Sequence, residues 1–100
     1  MIQVQKIACT NNAGCVMWFQ AVCTGGTSNG TGSYPINQTQ VIDLGETPFR
    51  EGTEFWPEVH AILGKTQSAP EHIQFTTNGQ TATYDVRGTT LNYSINLIGG

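Results

Sequence analysis

The chain has 100 residues, enough for one domain with a small core. Only 11% of them are charged, against about 25% in an average domain; with net charge −3 and four Lys and Arg in all, a phosphate-neutralising nucleic-acid surface is excluded. No apolar run approaches the ~18–20 residues of a membrane span, and Thr, Asn, Gln, Ser and Gly take the polar positions that Glu, Lys and Arg fill in helical proteins.

The first expected strand runs from Ile2 to Thr10. Ile2 and Val4 share one face while Ile7 and Cys9 fall on the other, which calls for a bulge near Gln5-Lys6. Neither a charged n-region nor an apolar h-region precedes it, so no signal peptide is read; cytosolic synthesis is expected, with release or cell-surface display left open. Asn11-Asn12-Ala13-Gly14 has turn chemistry.

Val16 to Cys23 is the longest apolar run, broken only by Gln20. Cys15, Met17, Phe19, Ala21 and Cys23 form one face of a strand, and Val16, Trp18, Gln20 and Val22 the other. A helix competes for so short a run; the β-branched and aromatic content favours a strand covered on both sides. Thr24 to Ser33 has no apolar residue and reads as a long polar surface loop.

Gln38 to Leu44 follows as a strand with Gln40, Ile42 and Leu44 on one face. Glu54 to Lys65 puts Phe55, Pro57, Val59, Ala61 and Leu63 on one face and Trp56, Glu58, His60 and Ile62 on the other. Pro57 marks an edge or a bulge. Ile73 and Phe75 point inward, and Thr77-Asn78-Gly79-Gln80 reads as a type I′ hairpin. Ala82, Tyr84 and Val86 share the next face, a tight turn is expected at Arg87-Gly88, and Leu91, Tyr93, Ile95 and Leu97 alternate with polar residues. The sum is about seven short strands and no helix. It predicts an all-β fold, an antiparallel β-sandwich in a single domain spanning 1–100, with a small barrel as the alternative.

Cys15 and Cys23 on one strand would sit about 26 Å apart at ~3.3 Å per residue, leaving Cys9–Cys15 as the only cheap disulfide. The odd count favours three reduced thiols. No catalytic motif occurs. Glu58-x-His60 offers two ligands where zinc needs three, and Asp43, Glu46 and Glu51 are sparse for calcium; no cofactor is expected, and calcium has no motif here. Neutral sugars suit the composition better, because their hydroxyls are read by amides and carboxylates beside an aromatic platform. The candidate sugar-binding residues are Trp56, Glu58 and His60 on one strand face, Trp18 on another, and Tyr34, Asn29 and Asn37 flanking the polar loop.

Two stretches, Glu54-Phe-Trp-Pro-Glu-Val-His-Ala-Ile-Leu-Gly-Lys65 and Asn78-Gly-Gln-Thr-Ala-Thr-Tyr84 with Gly88-Thr-Thr-Leu-Asn-Tyr-Ser94, resemble small hemagglutinins of the slime-mould type. That resemblance implies a minimal β-sandwich lectin related in architecture to legume lectins. The legume-lectin metal cluster does not carry over, since no Glu-x-Asp pair occurs. The expected function is therefore a non-catalytic, glycan- or glycoprotein-binding lectin. A structural, cell-adhesion or protein-interaction sandwich is the alternative. Val16, Trp18 and Val22 on the second face of their strand call for a cover, a loop of the same chain or a second copy; the Gly-rich loop has no apolar residue to supply before Tyr34, so a homodimer with Trp18 near its interface is expected.

Overall fold

A computed structural model describes residues 1–99 of the protein. It is all-β, with ten strands: β1 (Gln3–Val4), β2 (Lys6–Ala13), β3 (Met17–Cys23), β4 (Gly26–Thr27), β5 (Thr39–Asp43), β6 (Glu54–Ala61), β7 (Thr66–Ser68), β8 (Ile73–Phe75), β9 (Thr81–Thr89) and β10 (Asn92–Gly99). A single 3-10 turn, Leu44–Glu46, follows β5, its Gly45 N–H capped by the Asp43 carboxylate. One sheet has the order β1-β8-β6-β3-β4, with β7 also on β6, and the other the order β10-β9-β2-β5. Their inner faces form one core in which Ile7, Met17, Phe19, Leu44, Phe55, Val59, Ile73, Tyr84 and Val86 are fully buried.

The sandwich is mixed rather than wholly antiparallel, because β1 pairs β8 and β2 pairs β9 in parallel. The phase slip at Gln5-Lys6 is the cause. It is no bulge within one strand but the point where the chain leaves one sheet and enters the other. Val4 and Ile7 are both buried, three residues apart, because each faces the shared core from opposite sheets. The Gln5 and Lys6 N–H groups both donate to the Gln80 carbonyl, at 2.9 and 3.0 Å, and the Gln5 carbonyl accepts from Leu44. The Gln5 side chain accepts from the Gly79 N–H and donates to Asp43.

Thr77–Gln80 makes the same crossing beside it. The Asn-Gly segment is not a hairpin, since β8 and β9 belong to different sheets. Nor is it type I′, which needs left-handed backbone at both central residues; only Gly79 has it, with φ 74°. Asn78 instead uses its side chain, accepting from the Gln80 N–H and donating to the Gln3 carbonyl.

Other boundaries move for similar reasons. β2 continues through Asn11-Asn12-Ala13, and the turn falls after it. Asn11 is fully buried, its amide bonded to the Cys15 and Tyr34 carbonyls and its oxygen to the Ala13 N–H. Pro57 lies inside β6, not at an edge, where the outer partner changes from β8 to β7. Its carbonyl accepts from Ala69, so its missing N–H faces that break and no ladder bond is lost. β9 runs through Arg87-Gly88, and the hairpin turn is at Thr90-Leu91. Leu63 and Leu91 therefore sit in turns and point to solvent, against the expectation from alternation.

The polar segment after β4 is not a free loop. It lies along the edge of β3: Ser28 and Thr31 donate their N–H groups to the Ala21 and Phe19 carbonyls, and Tyr34 pairs with Met17. The returning bonds run from the Ala21 and Phe19 N–H groups to the Ser28 and Thr31 hydroxyls, at 2.9 and 3.1 Å. Short hydroxyl side chains thus replace backbone carbonyls as ladder acceptors, which explains a Thr/Ser/Gly sequence in a segment that completes a sheet.

Gly88 is the tightest glycine in the sheets. Its φ is 130°, and a Cβ there would stand 2.4 Å from the Asn92 carbonyl oxygen and 2.7 Å from Tyr93 Cα. Gly88→Ala is expected to cost about 2–4 kcal/mol, because backbone must move. Gly52→Ala, with φ 91° but open space around it, is expected to cost only about 1 kcal/mol. Urea unfolding of the two variants checks the contrast.

Cys9, Cys15 and Cys23 are all free thiols. Burial pushes the Cys9 thiol far above the ordinary thiol range. Burial, and then the neighbouring Cys9, do the same for the Tyr34 and Tyr84 phenols. All three ionise more readily unfolded than folded. Their contribution to stability is complete below the unfolded values, about 8.5 for Cys and 10 for Tyr, and is lost as pH rises above them. The melting temperature should therefore fall above about pH 9. Tyr34→Phe, which deletes a 2.8 Å hydrogen bond to the Cys9 carbonyl, should lower stability by about 1 kcal/mol at neutral pH and flatten the alkaline decline.

Candidate functional site

The core-facing residues of β3 and β6 leave a second, half-exposed face on the outside of the same sheet. Register decides what stands there: Trp18 opposite His60, Gln20 opposite Glu58, Val22 opposite Trp56. The pairing of β6 with β8, continued one residue past Phe55–Ile73, brings His72 beside Trp56. Two indole–imidazole stacks result. Trp18 and His60 have ring centroids 3.9 Å apart with planes 7° from parallel, and Trp56 and His72 are 4.3 Å apart at 20°.

Between the two aromatic rows lies a polar one. Glu58 Oε1 accepts from Gln20 Nε2 at 2.9 Å and from His60 Nε2 at 2.8 Å, while Thr66 Oγ1 is 3.1 Å from His60 Nδ1. This pattern puts the imidazole proton on Nε2, with the Thr66 hydroxyl donating to Nδ1. His72 is held likewise by Glu54 through Nδ1. Each imidazole is thus fixed by a carboxylate and in turn fixes an indole. Among the described residues, no protein group donates to Glu58 Oε2 or Gln20 Oε1, so both keep acceptor capacity for a ligand hydroxyl.

The sequence-derived candidates divide. Trp18, Trp56, Glu58 and His60 share this face. Trp18 is covered from its own chain, by His60 on one side and by Gly30, where a Cβ would come within 2.7 Å of the indole. It therefore needs no second copy to shield it, the premise on which a dimer with Trp18 at its interface rested. Tyr34 is not available to a ligand: it is a core residue, 2% exposed, its hydroxyl bonded inside the protein. Asn37 is exposed but serves a turn, with φ 69° in the left-handed region that asparagine tolerates and its N–H on the Asn11 carbonyl.

Asn29 lies elsewhere, in a cleft of about 260 Å³ between the segment bearing Ser28 to Thr31 and the edge strand β5, with Gln40, Ile42, Asp43 and Glu46 also on its walls. The segment that shields Trp18 thus also forms one wall of this second concavity.

Gln20, His72 and Glu54 were not among the candidates. Alternation had placed Gln20 on the Trp18 face, but its meeting with Glu58 depends on the β3–β6 register. No local signal marks His72, which reaches Trp56 only through β8. Among the described residues, no group of three or more His, Cys, Asp or Glu side chains is arranged to hold a metal ion. No protein-family model, curated protein or solved structure matches the chain.

Glu58→Ala removes the shared acceptor of Gln20 and His60. Both are half-exposed and water can substitute, so the stability cost should be only about 0.5–1 kcal/mol. The loss of imidazole anchoring should red-shift the Trp18 emission. Urea titration followed by fluorescence reads both quantities.

Proposed function

We propose that the outer β3–β6–β8 face binds neutral glycans, and that the protein is a lectin. The observation that carries this reading is the alternation of rows: Trp56 stacked on His72 as the platform, Trp18 closed between His60 and Gly30 on the far side, and Gln20 and Glu58 between them offering unused acceptors. Aromatic surface packs on the C–H faces of a sugar ring while fixed acceptors take its hydroxyls. The polar row stands two residues along the strands from Trp56, about 7 Å, so a sugar packed on Trp56 has Gln20 and Glu58 within reach of its hydroxyls.

Spacing along the strand also argues against glycoside hydrolysis. Glu54 and Glu58 lie four residues apart on β6, about 13 Å, whereas paired catalytic carboxylates stand roughly 5–9.5 Å apart. Both are also engaged by histidines. Pre-ordering of the site favours binding, since little side-chain freedom remains to be lost.

A glycan array followed by calorimetry on the best hit tests the proposal. Trp56→Ala is expected to weaken binding at least tenfold and Gln20→Ala several-fold, with the fold retained by circular dichroism. Absence of any glycan binding at millimolar sugar, or binding indifferent to Trp56, would refute the assignment. In that case a protein-interaction sandwich becomes the better reading.

A further inference from the structure

The turns at one end of the sandwich expose aliphatic side chains. Val16 follows the β2–β3 turn, Ile36 lies beyond Tyr34, Ile62 and Leu63 form the β6–β7 turn, and Leu91 the β9–β10 turn. Leu63 is 97% exposed and Leu91 63%, with Val16, Ile36 and Ile62 each above 40%. These turns are fastened together. Ile62 N–H donates to the Val16 carbonyl at 2.9 Å, Lys65 N–H to the Thr90 carbonyl at 3.1 Å, and Gly14 N–H to the Gly88 carbonyl at 2.9 Å. Gly64 packs against Thr90 with no room for a Cβ. The apex is one rigid body carrying several protruding aliphatic side chains.

Leu63 is also the only residue other than Gly and Asn with a left-handed backbone among the described residues, at φ 59°. Leucine is disfavoured there, and the fold would be better served by glycine. A strained, fully exposed aliphatic residue at a turn tip serves its side chain rather than the turn.

Charge is distributed along the same axis. None of the apical turns carries a carboxylate, and Lys65 stands among them. Asp43, Glu46, Glu51 and Glu54 lie at the opposite end, where β5 finishes and β6 begins, and outnumber the two cations there, Lys6 opposite Asp43 and Arg50 beside Glu51. Asp85, nearer the apex, is engaged by Asn12 and Arg87.

We propose that this apex docks on an anionic lipid bilayer, inserting Leu63 and Leu91 at the headgroup–acyl boundary with Lys65 among the headgroups. A deformable acyl phase accommodates protruding side chains such as Leu63, 97% exposed, without a matching pocket. The cleft beside β5 is polar and bears Asp43 and Glu46, so it is no seat for these aliphatic tips in a second copy. Apolar insertion and attraction of a basic residue to acidic lipid are the two terms that hold peripheral proteins on membranes. The acidic far end points the molecule away from a negative surface.

The test is co-sedimentation of the full chain with phosphatidylcholine vesicles containing roughly one-quarter phosphatidylserine, against phosphatidylcholine alone. These vesicles carry no glycan, so the result is independent of the lectin proposal. Binding is expected to the anionic vesicles and to fall several-fold on neutral ones. Leu63→Gly should reduce it at least tenfold while keeping or raising thermal stability, because the backbone strain is relieved. Lys65→Gln should reduce binding several-fold and weaken its dependence on salt. No binding by the wild type would overturn the proposal, as would binding that Leu63→Gly leaves intact. A wild-type dimer in sedimentation equilibrium that Leu63→Gly converts to monomer would overturn it too, assigning the apex to a second copy.

Discussion

Everything in this fold depends on two chain segments crossing between sheets side by side. β1 and β2 are separated by the single residue Gln5, and β8 and β9 by Thr76–Gln80. Each pair leaves one sheet, turns the corner and pairs in parallel with the other on both sides of it. The corner is where backbone groups would lose ladder partners. Gln5 prevents that with its N–H, its carbonyl and both ends of its side chain bonded. Gln5 and Lys6 are half-buried, so their polar groups need these partners where the ladder breaks. Among the described residues, no buried side-chain nitrogen or oxygen lacks a partner.

That corner fixes where the outer aromatic face can form. With β1 and β8 at one side of the sheet and the polar segment after β4 closing the other, β3 and β6 are its centre. A central strand has both edges occupied, so its outward side chains are held by neighbours on two sides. This is why Trp18 and Trp56 meet histidines across the strands, and why Glu58 and Glu54 are placed to hold those histidines. The inward residues of the same strands, Phe19, Phe55 and Val59, are fully buried, so the outer aromatic face is braced directly by the core.

The inward faces of β3, β6 and β9 were legible in the sequence because alternation is local: Met17, Phe19 and Ala21, Phe55 and Val59, Ala82, Tyr84 and Val86 all lie where period two puts them. The slip at Gln5-Lys6 was equally visible, but a bulge and a sheet change leave the same trace. Only the distant partner, Gln80, distinguishes them. Leu63 and Leu91 show the opposite failure, where alternation continues on paper through a turn that reverses the chain. Half of the candidate site shared this limit. Trp56, Glu58 and His60 were placed together by one strand's pleat, whereas Gln20 and His72 arrive through registers that local pattern does not encode. Tyr34 was misread as a surface aromatic because its burial depends on Asn11 and Cys9, more than twenty residues earlier.

The parallel pairings also constrain how the chain acquires its structure. Gln3 pairs with Gln74 and Lys6 with Thr81, so β1 and β2 both wait for partners made about 70 residues after them. On the ribosome, β3 and β6 can meet early, but β2 has only the edge strand β5 beside it until β9 emerges. The first half of the chain thus spends its synthesis with an open sheet margin and exposed core residues, in the state most prone to wrong association. Pairings at such sequence separation are slow to form. Completion of the fold therefore waits for β8 and β9, and its yield in a cell depends on how that interval is guarded.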